Sequence, residues 1–384
     1  MTAASPDHAP LGLYLHLPFC PSRCPYCDFF AKPFSLSEAR LLLPALLKHL
    51  DLLAPLAGGR RLETVYLGGG TPSMWPAAAI ARLLAALRER LTLSPGAEVS
   101  LEANPGTLSR KKLDLLRRTG LNRLSLGAQS FSPVLLKNLG RRHLAQDIRR
   151  AASQARQAGF ANLNLDLIYG LPGQTARLAE DDLKAALEIA PEHLSLYELT
   201  LSPDTDFGRR YSPGRPPLPP EAELGEMERR AGALLEQAGL IRYEVSNFAR
   251  PGFACRHNQS TWRGGDYLAL GPGAHGHLSG QRWGLAKDIP SYVRQVEAGQ
   301  QPYDFYEELS PSQQALERIM LGLRTLEGVS QAGLTGLLRD DPLAVYQRPI
   351  ARLQELGWAT LGKTHILPTA LGLDMADAAA GLFA

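Results

Sequence analysis

From residue 11 to about residue 238 the chain repeats one pattern, a short strand-like run followed by an alanine- and leucine-rich stretch whose apolar positions recur at helical spacing. The pattern predicts strands over 13–17, 64–67, 98–102, 123–126, 162–167 and 193–199, and helices over 36–53, 77–90, 110–119, 145–158 and 176–188. Strands alternating with helices of this length predict an α/β fold with a parallel sheet covered by helices. Six units point to a partial (βα)6 barrel, an open version of the eightfold one. Ligands in such folds bind at the carboxyl ends of the strands, and the unusual residues of this chain cluster in the loops that follow its strands.

Beyond the sixth strand the pattern changes. A proline-rich run over 212–220 reads as a linker before a further amphipathic helix over 221–238. Residues 242–284, rich in glycine and aromatics, predict short strands and loops returning to the barrel mouth. From residue 310 the order is three helices, the third over 342–356, a hairpin over 358–361 and 365–367, and a last helix over 370–380. That order resembles a winged-helix unit, but its recognition-helix candidate has no basic face, so a structural or docking role is expected rather than DNA binding. The expected organisation is a barrel over 1–240, a β-rich, glycine/aromatic extension completing the core over 241–305, and a small helical, winged-helix-like domain over 306–384.

Composition narrows the function classes. A formal net charge of +3 gives no bulk electrostatic signal for nucleic acid, and none is expected as a partner. No stretch approaches the ~20 apolar residues that span a bilayer. Met1 to Pro10 lacks a basic start with an apolar core, so a cytoplasmic location is expected. The chain has 4 cysteines, and Cys20, Cys24 and Cys27 fall within one short loop. That grouping in a reducing compartment suits a metal site better than disulfide pairing.

The loop Cys20-Pro-Ser-Arg-Cys24-Pro-Tyr-Cys27 follows directly on the first predicted strand. Its spacing lets three thiolates take three corners of an iron–sulfur cube and leaves the fourth iron open. A sulfonium compound chelating that iron can be reductively cleaved to a 5'-deoxyadenosyl radical. Phe19, Tyr26 and Phe29 would shield such a site. Zinc is the competing reading, but it asks for four ligands, and the usual two-residue knuckle occurs once here.

These residues resemble the radical SAM superfamily. Tyr14-Leu-His-Leu-Pro-Phe-Cys20 with Cys27-Asp-Phe29 is similar to the oxygen-independent coproporphyrinogen III oxidase-like group within it. The likeness continues through Leu67-Gly-Gly-Gly-Thr-Pro72, Leu101-Glu-Ala-Asn-Pro105, Ser125-Leu-Gly-Ala-Gln-Ser-Phe131, Gly140-Arg-Arg-His143 and Leu165-Asp-Leu-Ile-Tyr-Gly-Leu-Pro172. It implies a 4Fe-4S cluster on Cys20, Cys24 and Cys27 with S-adenosylmethionine (SAM) on the open iron, and an electron donor such as flavodoxin or ferredoxin.

The glycines Gly69 and Gly70 leave room for backbone carbonyls to approach the methionyl ammonium, and Thr71 closes that turn. Seen alone, this would be an ordinary turn. Glu102, Gln129 and Asp166 stand at the ends of successive predicted strands, so their side chains converge over the barrel mouth. By resemblance Glu102 holds the ammonium group, Arg141 pairs with the methionyl carboxylate, and Gln129 and Asp166 bind the ribose hydroxyls. Tyr14, Tyr26 and Thr200 are candidates to line the adenine and sulfonium region.

The oxidases of this group carry a further cysteine two residues after the third, where this chain has Phe29, and a longer segment ahead of the first strand. What remains resembles the haem chaperone branch, which binds haem and passes it to an acceptor protein. The alternative is an oxygen-independent coproporphyrinogen III oxidase. A tRNA-modifying role stands third, without an RNA-binding motif. Cys255-Arg-His257-Asn-Gln-Ser-Thr-Trp262 resembles the HN-x-x-Y-W haem motif of that branch, with Thr261 in place of tyrosine. His257 is the haem-ligand candidate. Cys255 is open between a second ligand and an inert buried thiol, and His275 and His277 between haem and the SAM site. No residue beyond the cluster is assigned to catalysis, and the sequence leaves open whether SAM is cleaved.

Overall fold

The computed structural model describes residues 10–383, so the segment Met1 to Ala9, on which the short leader was read, lies outside the described residues. Seven strands run parallel at the centre of a twelve-stranded sheet. Six are those read from the pattern: β1 (Leu11–Leu17), β2 (Leu62–Gly69), β3 (Leu93–Ala103), β4 (Arg123–Gln129), β5 (Asn162–Tyr169) and β6 (His193–Glu198). The chain then adds β7 (Ile241–Arg242), β8 (Asn247–Ala249), β9 (Asp266–Leu270), β10 (His275–Leu278), β11 (Gln281–Leu285) and β12 (Tyr303–Glu308). The order across the sheet is β12-β11-β10-β9-β1-β2-β3-β4-β5-β6-β8-β7. The extension therefore returns to both edges of the barrel. β9 pairs parallel with β1, Leu13 opposite Leu268, while β8 pairs antiparallel with β6.

The two faces of the central strands divide sharply. Strands buried on both sides usually read as continuous apolar runs. Here alternate positions such as Leu11, Leu13, Leu15 and Leu17 on β1, Val65 and Leu67 on β2, and Leu163, Leu165 and Leu167 on β5 share one core with Leu42 and Leu46 of the helix Leu36–Leu53 and Leu84 and Leu87 of the helix Ala77–Arg90. The intervening positions, among them Tyr66 on β2, Glu102 on β3, Asp166 on β5 and Ser195 and Tyr197 on β6, line an internal cavity. With side chains alternating at period two, the covering helices take the leucines, and a polar lumen is left inside the curved sheet.

The chain after β12 has its own core, with Ile319, Leu334, Leu353 and Ile366 in it. Helices Pro311–Gly322 and Gln331–Leu338 pack there with a small antiparallel sheet of Val329–Ser330, His365–Pro368 and Ala359–Leu361. Two single helices of the sequence reading are each two in the structure. The third splits into Pro342–Val345 and Gln347–Glu355, because Pro349 has no N–H to continue the preceding helix. The last splits into Ala370–Asp374 and Ala376–Gly381. β12 runs through the boundary expected between 305 and 306, so the large sheet continues to Glu308.

Candidate functional site

The cysteine loop leaves β1 and is clipped to the turn after β2. Gly70 donates its N–H to Leu17 O at 3.0 Å, and Thr71 donates to Phe19 O at 2.8 Å. A Cβ on Gly70 would stand 2.8 Å from Phe19 O, and one on Gly69, where φ is +117°, would stand 2.9 Å from the His16 imidazole. On that side the room made by these glycines is taken up by the cysteine loop and His16, and both glycines also line the cavity at the strand ends. The clip sets Cys20 Sγ 3.1 Å from Thr71 Oγ1.

A polar chain then crosses the strand ends. The Asn104 amide donates to Thr71 Oγ1 at 2.8 Å and accepts from Arg141 at 2.5 Å. Arg141 also donates to Gly127 O at 2.6 Å and lies 3.8 Å from Cys24 Sγ. Asn104 belongs to the quoted Leu101–Pro105 motif yet escaped the sequence reading, since its role is in what it holds across three loops. Gln129 ends β4 with φ at +65°, after a register shift against β5. A non-glycine residue held in the left-handed region stores strain, a feature of sites that aim a side chain. A Cβ on Gly127 would crowd both Gln129 Nε2, at 2.9 Å, and Arg141, at 3.0 Å, so glycine there lets the two side chains cross.

Cys20, Cys24, Cys27, Tyr26, Gly69, Gly70, Thr71, Glu102, Gln129, Arg141, Asp166 and Thr200 all line one cavity of about 850 Å³. Among the described residues no three His, Cys, Asp or Glu side chains are set to hold a single metal ion, while the thiols lie near enough that, after burial, Cys24 raises the pKa of both Cys20 and Cys27. Two half-buried carboxyls face this cavity. Glu102 accepts from Tyr66 OH at 2.9 Å. Burial first, and then the like charge of Asp166, push its pKa from 4.5 up to about 7. Asp166 accepts from Ser125 Oγ at 2.9 Å and Asn164 Nδ2 at 2.7 Å, and burial raises it despite these bonds. Arg123, buried on the same wall, favours the charged form of both, but desolvation outweighs it, so the pair would gain from a further cation.

Tyr14 and His257 line a second cavity of about 1270 Å³ instead. Tyr14 lies two residues before His16 on the same pleat, so it points into the lumen, with its hydroxyl 3.1 Å from His16 Nδ1. It stands against Tyr66 and His257, in a cavity that shares Tyr66, Glu102 and Thr200 with the first. His257 sits on a helix, Arg256–Trp262, where a loop was expected. Glu98 accepts the backbone N–H of Arg256 at 3.0 Å and of His257 at 3.2 Å, a carboxylate at a helix N-terminus. The ring is buried, with Nδ1 2.9 Å from Thr64 Oγ1, and Nε2 takes no hydrogen bond among the described residues. Burial pulls its pKa down to about 4, so the imidazole is neutral near neutral pH, and Nε2 offers a lone pair when Nδ1 donates its proton to Thr64. Thr261 donates back to His257 O at 3.1 Å.

The open cases are placed as follows. Cys255 is buried, donates to Glu98 at 3.4 Å and lines neither cavity. His275 lines the second cavity, whereas His277 lies between Asp266 and Glu317 at 3.5 and 3.9 Å. Phe29 is exposed on the rim of both cavities.

A partial barrel whose first loop carries three thiols over a polar, carboxylate-lined lumen defines a radical SAM protein. In agreement, residues 14–186 match the model of the Radical SAM superfamily and residues 309–375 that of the HemN C-terminal domain. The chain is 43% identical over 271 residues to the heme chaperone HemW of Escherichia coli K12, covering 70% of this chain and 71% of that one. It is 38% identical over 344 residues to the HemW of Mycobacterium tuberculosis H37Rv, covering 88% and 87%. The solved structure of coproporphyrinogen III oxidase HemN from Escherichia coli, described as a radical SAM enzyme, superposes with a TM-score of 0.85 at 26% identity, over 99% of this chain and 91% of that one. The chain belongs to the HemW family within the radical SAM superfamily. Membership implies a 4Fe-4S cluster and SAM. Among the described residues no helix is long and apolar enough to cross a membrane.

Proposed function

We propose that this chain is a haem chaperone of the radical SAM type, holding a 4Fe-4S cluster, SAM and haem and passing the haem to an acceptor protein in the cytoplasm. In this reading Cys20, Cys24 and Cys27 hold the cluster, and the residues present fit it and SAM. Glu102 and Asp166 offer charge to the methionyl ammonium and the ribose hydroxyls, while Arg141, fixed by Asn104 and Gly127, faces the methionyl carboxylate. When bound, the two groups supply reductive one-electron chemistry fed by an external donor such as flavodoxin or ferredoxin. The chain's own contribution is to orient SAM from four strand ends and to keep water from the lumen with Tyr26 and Phe207 beneath the loop. The barrel with its extension would carry the ligands, and the C-terminal unit would cover the second cavity through Leu373–Ala378.

The observation that carries the haem part is His257, a neutral imidazole with an unbonded Nε2 in a cavity of about 1270 Å³. That volume exceeds the ~300–1,000 Å³ of most small-molecule sites. Aromatic rings of Tyr14, Tyr66 and Tyr267 surround the imidazole, at centroid distances of 6.5, 5.2 and 6.3 Å. Haem titration of the cluster-loaded protein tests this. His257→Ala is expected to weaken haem at least ~10-fold while cluster absorbance and SAM affinity hold, and unchanged haem affinity would remove His257 as the ligand. Conversion of coproporphyrinogen III to protoporphyrinogen IX by the same preparation would instead make the chain an oxidase despite Phe29.

A further inference from the structure

Tyr66, Glu102, Tyr197 and Asn258 line both cavities and so form a common wall between them. Within that wall one side chain touches a candidate ligand-binding group on each side. The Tyr66 hydroxyl donates to Glu102 Oε1 at 2.9 Å. Its ring lies over His257, with centroids 5.2 Å apart and planes 25° from parallel. The strands repeat the connection. β2 carries both Tyr66 and Thr64, whose hydroxyl holds His257 Nδ1, and β3 carries both Glu102 and Glu98, which accepts the backbone N–H of His257. His257 is therefore positioned by the same two strands that hold the carboxyl end of the SAM cavity.

We propose that Tyr66 is a positioning residue that couples the two sites, so that SAM seated on Glu102 makes haem bind more tightly at His257. This rests on the function proposed above. A cation on Glu102 fixes the carboxylate, the carboxylate fixes the phenol, and the ring holds the imidazole in one orientation. A second ligand then meets a wall already ordered and loses less conformational entropy on binding. By linkage, haem must tighten SAM by the same factor.

The test is a haem titration, followed by the Soret band, of the cluster-loaded full chain with and without saturating SAM, for the wild type and Tyr66→Phe. Phenylalanine keeps the ring over His257 and deletes only the bond to Glu102. Wild type is expected to bind haem at least ~5-fold more tightly with SAM, the lower end of common coupling factors. In Tyr66→Phe the ratio of the two affinities is expected to fall to within ~2-fold of one, whatever the affinity for haem alone. An equal ratio in both proteins, or a wild-type ratio of one, overturns the coupling and leaves haem binding standing. Failure of wild type to bind haem at all would instead remove the proposed function, and the coupling with it.

Discussion

Glu102 links electrostatics to ligand binding in a way that can be counted in protons. Its carboxyl is raised from 4.5 to about 7, by burial first and Asp166 second, against the hydrogen bond from Tyr66. The folded chain therefore holds this proton over the range from 4.5 to about 7 in which an unfolded chain has lost it. Stability contributed by the group falls as pH rises through that window, by about 3 kcal/mol in all. An ammonium group beside Glu102 reverses the situation, because it favours the charged carboxylate. At pH 6.5 about three-quarters of Glu102 is protonated, so SAM binding to the cluster-loaded protein should release about three-quarters of a proton from this carboxyl, beside any released by the SAM amine or Asp166. SAM affinity should rise with pH up to about 7 and level off above it. Calorimetry in two buffers of different ionisation enthalpy measures the proton count directly. Glu102→Gln lacks that proton, so its count should be lower than the wild type's by about three-quarters, and the part of the pH slope due to Glu102 should go with it. A wild-type count within ~0.2 of the variant's at pH 6.5 would refute the assignment of Glu102 as the partner of the SAM amino group.

Two further substitutions test how the site is held. Asn104→Ala removes the acceptor that fixes Arg141 and the donor to Thr71; one bond to a charged group is worth about 1.5–3 kcal/mol. SAM affinity should therefore fall about 10- to 100-fold with cluster absorbance retained, and a change under ~2-fold would show that Arg141 is held without it. Asp182, buried on the helix Ala176–Leu187, accepts from Ser130 Oγ and Phe131 N at 2.6 Å each and from Ser132 N at 3.1 Å, which anchors the loop after the strained Gln129. Asp182→Ala strands the Phe131 N–H and frees the Ser130 hydroxyl, while Ser132 N–H keeps Ser130 Oγ at 3.0 Å, and should cost about 2–3 kcal/mol in urea unfolding, with a loss below ~1 kcal/mol counting against the anchor.

Much of the barrel is legible in the sequence because its two periodicities do not interfere. The helices show apolar positions at helical spacing, and the strands between them are short, so the parallel units 13–17 through 193–199 stand out. β9 does not stand out, since Asp266–Leu270 is brief, follows two glycines, and is a strand because it has β1 to pair with. The helix Arg256–Trp262 is hidden for a related reason. Arg-His-Asn-Gln-Ser-Thr-Trp has no apolar stripe and weak helix formers. Its order comes from elsewhere in the chain: Glu98 on β3 caps its first N–H groups, and Glu63 on β2 pairs with Arg256 at 2.6 Å.

The same non-local logic separates the parts of the candidate site that could be read from those that could not. Cysteines, glycines and strand-end carboxylates announce themselves by type and position, and the structure gathers them at one cavity. Asn104 and Tyr66 carry no such mark, because each matters only through the two groups it joins. Tyr14, expected to line the adenine and sulfonium region, lines the neighbouring cavity, which shares Glu102 and Tyr66 with the first. Register decides the matter. On β1 the leucines at 13, 15 and 17 belong to the outer core, so Tyr14 and His16 must share the inner face, and their depth along the strand assigns Tyr14 to the His257 cavity. A motif thus fixes which residues stand near a site, while the pleat and the pairing of its strand fix which wall of the lumen each one forms.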